Sequence, residues 1–294
     1  MGSASDNPTP GDSEAARLKI YLLPNVLTAG NLFCGFLAMT RIVEADINTA
    51  NFNTVIRQAI LLIILACIFD LLDGRVARFG GQDSPFGREF DSLADIISFG
   101  AAPAFLVHRV VLRDVFSDHH PEIGWFIASI YLICGAFRLA RFNCLTAQPS
   151  GGGGGKDFLG FPIPAAAGTV ASITLFLLWL DDHHWLDERF ARTPWRYVLP
   201  IIMVFLSFMM VSEVKYPSFK SLDWRARRTF PKMVVIILII GFLIIAQQKV
   251  LPVVLPLFFT AYLVYGFIRP RLSRKIRDEI EQEEGEEEEP SAPS

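Results

Sequence analysis

The sequence is poor in the residues that mark thiolate-metal or redox chemistry. It has 4 cysteines in 294 residues, and none is paired at the close spacing of a zinc site or a CxxC redox motif. We interpret them as small hydrophobic side chains in helix packing. Residues 1–19 also lack the basic start and the small-residue cleavage site of a signal peptide. The first apolar segment is therefore predicted to be a membrane helix.

Charge is also scarce, because charged residues make up 19% of the chain and hydrophobic residues 52%. This composition is too apolar for an ordinary soluble domain of this length. A membrane-spanning helix needs about 20 apolar residues, and the sequence predicts an all-α polytopic membrane protein with about eight of them. The predicted helices are residues 22–43, 55–77, 91–113, 124–144, 159–181, 197–214, 231–248 and 250–268.

Lysine and arginine are distributed unevenly between the two sets of loops. If both termini lie on one side, that side receives more than two thirds of the 27 Lys and Arg residues. The positive-inside rule then places both termini and the loop after the second helix in the cytoplasm. We divide the chain into a polar N-terminal segment (1–19), a transmembrane domain (20–270) and a charged, disordered tail (271–294).

Four aspartates flank the predicted turn between the second and third helices. Asp70 and Asp73 are three residues apart near the end of the second helix, and Asp91 and Asp95 are four apart at the start of the third. Each pair lies on one helix face. Unpaired carboxylates near the membrane are costly to bury, and an all-oxygen cluster suits hard divalent cations. The alternative is a set of structural salt bridges with the neighbouring arginines.

The spacing of this stretch resembles a known family signature. It reads D-x-x-D-G-x-x-A-R, then eight residues, then G-x-x-x-D-x-x-x-D, and every fixed position is similar to the signature of the CDP-alcohol phosphatidyltransferases. The resemblance implies a six-helix catalytic core around two divalent cations, Mg2+ or Mn2+. It also implies a CDP-linked lipid as donor, an alcohol as acceptor, and a homodimer formed through membrane helices.

The resemblance implies a role for each motif aspartate. Asp70, Asp73 and Asp91 are expected to be metal ligands. Asp95 is expected to complete the metal cluster and to take the proton from the acceptor hydroxyl as general base. Ser84 stands where the family often has a hydroxyl near the nucleotide.

Other residues are expected to contact the donor. Arg78 is suited to the diphosphate because a guanidinium matches phosphate oxygens in a bidentate way, and Gly74 leaves room for a bulky ligand. In the first helix, Asn25 and Thr28 belong to a P-N-x-x-T segment similar to one that lies by the nucleotide in the family. The alternative for such polar side chains is hydrogen bonding between helices, which we favour for Asn31.

Three further stretches indicate the acceptor. "DSLADIISFGAAPA", "CGAFRLARFN" and "VSEVKYPSFK" are similar to the branch of the family that makes phosphatidylserine from CDP-diacylglycerol and L-serine. Arg138 and Arg141, at the inner end of the fourth predicted helix, could bind the serine carboxylate. They could equally bind the lipid diphosphate or the headgroups of membrane lipids.

Other functions are compatible with the same acidic cluster. Glycerol 3-phosphate or inositol phosphate could be the acceptor, which would require a site for a dianionic phosphate. A cation transporter could use the cluster as its ion site, although the four acids lie near one membrane face and transporter sites gather at the midplane. A third possibility is an ion-stabilised scaffold without activity. We expect no nucleic-acid partner.

Overall fold

The structure is a computed structural model. It describes residues 10–46, 49–79, 85–112, 116, 120–146, 157–183, 194–217 and 250–266. Among these residues, five helices are long and apolar enough to cross a membrane, and two shorter apolar helices accompany them. Two strands of three residues each form a small antiparallel ribbon. The chain is therefore an all-α polytopic integral membrane protein.

The elements follow one another along the chain in a simple order. They are α1 (Pro10–Glu44), α2 (Phe52–Phe79), α3 (Pro85–Asp95), α4 (Ala102–Val107), α5 (Pro121–Thr146), β1 (Asp157–Leu159), α6 (Ile163–Asp182), α7 (Pro194–Val211), β2 (Lys215–Pro217) and α8 (Leu251–Gly266). A π-helical turn, Ile96–Ala101, joins α3 to α4, and a second one, His108–Leu112, follows α4. Together these pieces form one continuous third span, Phe86–Leu112.

The predicted helices agree with the structure within a few residues wherever it describes them, except at three starting points. Helix α1 begins at Pro10 rather than residue 22, although its apolar span, Leu23–Glu44, agrees with the prediction. The third span begins at Pro85 rather than residue 91, because the helix continues beyond the apolar core and proline is well suited to a first helical turn. The fifth predicted helix begins at Ile163 rather than residue 159, because residues before proline favour extended backbone and two prolines stand there. Residues 231–248 lie outside the described residues, so the count of eight stays a prediction.

Helix α6 forms the centre of the bundle. It packs against α2, the third span and α7, and small residues such as Ala166, Ala167 and Gly168 are buried along it. A Cβ at Gly168 would overlap the ring of Phe259 in α8. The small side chains of α6 therefore allow α8 to pack closely against it.

Polar contacts hold the end of the bundle that lies away from the motif aspartates. Arg57 of α2 forms an ion pair with Asp182 at the end of α6. Arg109, in the last turn of the third span, donates to the carbonyl oxygen of Ala45 just after α1. These contacts join α2 to α6 and the third span to α1 at one end of the bundle. The motif aspartates lie towards the other end.

Candidate active site

Three of the motif aspartates meet between α2 and α3. Carboxylate oxygens of Asp70, Asp91 and Asp95 lie within 4.8 Å of one another. Asp95 is 6% exposed, and Oδ1 of Asp91 is buried with no hydrogen-bond partner among the described residues. Three carboxylates at this spacing repel one another unless a cation compensates them, and Asp91 Oδ1 is an unused ligand atom. These residues therefore fit a divalent cation.

Asp73 is held by the first helix. Its Oδ2 accepts a 2.8 Å hydrogen bond from Thr28 Oγ1, and both side chains are buried. The Thr28 hydroxyl also lies 3.1 Å from the carbonyl oxygen of Pro24, one turn earlier. In the part of the chain that the structure describes, the 4.8 Å group does not include Asp73. The structure thus brings three of the four predicted metal ligands together and joins the fourth to α1.

Asn31 connects the same helix to Asp95. Its Nδ2 donates a 3.1 Å hydrogen bond to Asp95 Oδ1, and its backbone carbonyl accepts a 3.0 Å bond from Ser98 Oγ. The helices approach so closely here that a Cβ at Gly35 would overlap Ser98. Asn31 therefore makes the interhelical hydrogen bond that its position in an apolar segment predicts.

The third span changes its helical geometry directly after Asp95. The backbone N–H of Ala102 donates to the carbonyl oxygen of Ile97, five residues earlier, which is the pattern of a π-helical turn. Such turns are rare and occur frequently at functional sites. The carbonyl oxygen of Phe99 in this turn accepts a 3.2 Å bond from the hydroxyl of Tyr131 in α5. The turn thereby fixes the third span between α1 and α5.

A polar link joins α5 to the helix that carries two of the carboxylates. Asn143 Nδ2 donates a 3.0 Å hydrogen bond to Ser92 Oγ. Ser92 Oγ in turn donates to the carbonyl oxygen of Arg88 at 3.1 Å. No sequence pattern singles out Ser92, apart from its place between two motif aspartates.

The two arginines of α5 have different surroundings. Arg138 is 8% exposed, and its Nε has no hydrogen-bond partner among the residues described. It lies within electrostatic range of two motif aspartates, Asp95 and Asp70. Arg141 donates to the carbonyl oxygens of Val211 and Ser212 at 3.0 and 3.1 Å. Arg141 thus satisfies carbonyl groups at the C-terminal end of α7, which a helix leaves unpaired.

The structure describes the remaining predicted site residues only in part. Asn25 is half-buried in α1, and Gly74 follows Asp73 in α2. Arg78 belongs to the last turn of α2, but its side chain lies outside the described residues, as does all of Ser84.

Comparison with known proteins identifies the family. Residues 21–209 match the family model for CDP-alcohol phosphatidyltransferase. A CDP-diacylglycerol--serine O-phosphatidyltransferase of Helicobacter pylori is 33% identical over 250 residues, which is 85% of this chain and 91% of the relative. The chain belongs to the CDP-alcohol phosphatidyltransferase family.

Other members of this family are similar over shorter ranges. The protein of the same name in Bacillus subtilis is 33% identical over 198 residues, or 67% of this chain and 91% of the relative. The archaetidylserine synthase of Methanothermobacter thermautotrophicus is 34% identical over 197 residues, or 66% of this chain and 69% of the relative. The region that matches the CDP-alcohol phosphatidyltransferase model contains all four motif aspartates and ends before β2 and α8.

Proposed function

We propose that the protein is a CDP-diacylglycerol:serine O-phosphatidyltransferase. It transfers the phosphatidyl group from CDP-diacylglycerol to the hydroxyl of L-serine and releases CMP. The observation that carries this proposal is the convergence of the Asp70, Asp91 and Asp95 carboxylates within 4.8 Å, inside the region that matches the family. The names of the relatives that cover most of the chain support serine as the acceptor.

Asp70, Asp73 and Asp91 would hold two divalent cations, Mg2+ or Mn2+, and Asp95 would complete the set of ligands. Ions held there would neutralise the charge of the diphosphate and would stabilise the entering and leaving oxygens of an in-line displacement. The chain orients these carboxylates through buried hydrogen bonds from α1 to Asp73 and Asp95. Supporting bonds of this kind fix the orientation of metal ligands.

Asp95 accepts the proton of the serine hydroxyl. Because its Oδ1 accepts a hydrogen bond from Asn31, its Oδ2 is the oxygen assigned to the substrate. The serine oxygen forms a bond to the phosphatidyl phosphorus as the bond to the CMP oxygen breaks. A covalent intermediate is not needed: Ser92, the described hydroxyl inside the motif, donates to the carbonyl oxygen of Arg88.

The donor is bound by the other residues of the motif and by α1. Arg78 pairs with the diphosphate, Gly74 leaves room for it beside the backbone, and Asn25 and Ser84 contact the nucleotide. Thr28 supports a metal ligand instead, since its hydroxyl donates to Asp73.

The distribution of basic residues supports an active site on the cytoplasmic side of the cytoplasmic membrane. In this arrangement both termini are cytoplasmic. Residues 20–270 form the catalytic domain. By analogy with the family, two copies of the enzyme form a homodimer through membrane helices. The acidic residues of the tail, 271–294, have no part in catalysis.

An acceptor panel tests the proposed reaction. Purified full-length protein in detergent receives CDP-diacylglycerol, a divalent metal and labelled serine, glycerol 3-phosphate or inositol phosphate in separate reactions. We expect CMP and a labelled lipid with serine alone, and neither product after chelation of the metal. A labelled lipid from another acceptor but not from serine would overturn the assignment. Cation flux into sealed vesicles without release of CMP would instead favour a transporter.

A further inference from the structure

Two buried polar groups at the aspartate end of the bundle have no partner in the described part of the chain. One is Nε of Arg138 in α5, and the other is the hydroxyl of Tyr216 in β2, whose side chain is completely buried. Buried donors are nearly always hydrogen-bonded in folded proteins, to protein or to ordered water. Two such groups that share a neighbour, Tyr262, therefore indicate a polar ligand.

Tyr262 of α8 connects these two groups. Its ring centroid lies 6.0 Å from that of Tyr216 and 5.8 Å from that of Phe161, and it is within electrostatic range of Arg138. Helix α8 approaches β2 so closely that a Cβ at Gly266 would overlap the Tyr216 ring. The guanidinium and the two phenols therefore belong to one cluster formed by α5, β2 and α8.

This cluster adjoins the motif aspartates, because Arg138 lies within electrostatic range of Asp70 and Asp95. Tyr216 and Tyr262 lie beyond residue 209, where the match to the family model ends. The Helicobacter pylori relative is similar over a longer range, 85% of this chain. Residues beside the site but outside the region shared by the whole family are well placed to select the acceptor.

We propose that Arg138, Tyr216 and Tyr262 bind the carboxylate of the acceptor amino acid, and that the two tyrosines determine specificity for it. This assignment rests on the proposed transfer to serine. The guanidinium donates to the carboxylate oxygens, and the phenols supply further donors. Burial, together with the neighbouring Tyr262, raises the pKa of Tyr216, so its phenol keeps the proton that it donates.

The charge of the cluster favours a carboxylate over a phosphate. Among the described residues, Arg138 is the only basic side chain in the buried set. Arg141, one turn away, donates to carbonyl oxygens at the end of α7. One cation with two neutral phenols matches a monoanion, whereas a dianionic phosphate would call for more positive charge.

Phenylalanine substitutions test this pocket with little disturbance of packing. Tyr216→Phe and Tyr262→Phe each remove one hydroxyl and keep the ring beside Phe161. Tyr265→Phe is the matched control, because Tyr265 lies on the same helix and is 53% exposed. We expect the KM for serine to rise roughly 10- to 100-fold in the first two variants, as for a lost hydrogen bond to a charged group. The KM for CDP-diacylglycerol in these two variants should equal that of wild type. Tyr265→Phe should have wild-type KM values for both substrates.

Inhibition by L-alanine gives a second readout, because alanine keeps the carboxylate but has no hydroxyl to react. Its inhibition constant should rise in parallel with the serine KM, which a purely structural defect would not produce. Arg138→Lys should raise both constants as well, since lysine keeps the charge but loses the fork of donors. Circular dichroism and thermal unfolding in detergent establish that each variant is folded.

The possible failures are distinguishable. The KM for serine and the inhibition constant of L-alanine could be the same in Tyr216→Phe, Tyr262→Phe and Tyr265→Phe. That result would overturn the proposed carboxylate pocket but would not affect the proposed transfer to serine. A wild-type enzyme that does not use serine would overturn the proposed function, and the pocket with it.

Discussion

Replacing Thr28 by valine tests whether the first helix supports the metal site. Valine keeps the shape of the side chain and removes the hydroxyl, which donates a 2.8 Å hydrogen bond to Asp73 between two buried side chains. A hydrogen bond to a charged group contributes about 1.5–3 kcal/mol. If that energy supports the transition state, turnover should fall roughly 10- to 100-fold. This range is also typical for the loss of a group that orients a metal ligand.

The assay is release of CMP from CDP-diacylglycerol at saturating serine, followed over a titration with Mn2+. In Thr28→Val we expect a lower kcat and a higher metal concentration at half-maximal rate. Thr40→Val is the control, because the Thr40 hydroxyl donates to the carbonyl oxygen of Phe36 in its own helix. Wild-type kcat and metal dependence in Thr28→Val would refute the proposed support of Asp73.

Three other predictions concern Asp95, the β ribbon and the orientation. Asp95→Asn should abolish transfer to serine but leave the affinities for CDP-diacylglycerol and metal largely intact, because Asp70, Asp73 and Asp91 still hold the ions. If these two affinities fell together with the rate, Asp95 would be chiefly a metal ligand. Gly160→Ala should lower stability by about 1–3 kcal/mol, because φ is 78° and a Cβ would overlap a carbonyl oxygen of α7. An unfolding midpoint equal to that of Gly153→Ala, in the glycine run, would contradict this. Cysteines at Gln82 and Ser221, in a background without native cysteines, should react with an impermeant thiol reagent only after the membrane is opened. Labelling in intact cells would reverse the orientation.

The local part of the site could be predicted from the sequence. A helical period places residues three or four apart on one face, so the spacing of Asp70 to Asp73 and of Asp91 to Asp95 defined two acidic faces. The structure then brings Asp70, Asp91 and Asp95 within 4.8 Å. The polar residues of α1 could also be identified, because a polar side chain in an apolar segment needs a partner. The sequence does not indicate which carboxylate each of these polar residues contacts.

The other contacts depend on how distant segments meet. Arg138 and Arg141 are equivalent in the sequence pattern. Their surroundings differ because the end of α7 supplies carbonyl oxygens to Arg141. The π-helical turn after Asp95 has no sequence pattern of its own, and it is recognised only from the bond between Ala102 and Ile97. Tyr216 likewise belongs to the proposed pocket because it packs against Tyr262 of α8, a helix that lies much later in the chain.

Metal-dependent transfer through the aspartate cluster is tested most directly by Asp91→Asn. The substitution removes an oxygen of the group in which three carboxylates lie within 4.8 Å. We expect transfer to serine to fall to near background at saturating Mg2+ or Mn2+, with loss of Mn2+ binding measured by electron paramagnetic resonance and an unchanged helical circular dichroism spectrum. Asp83→Asn, in the same stretch but at none of its fixed positions, should behave as wild type. Near wild-type turnover of Asp91→Asn at saturating metal would contradict the assignment of the cluster as the metal site.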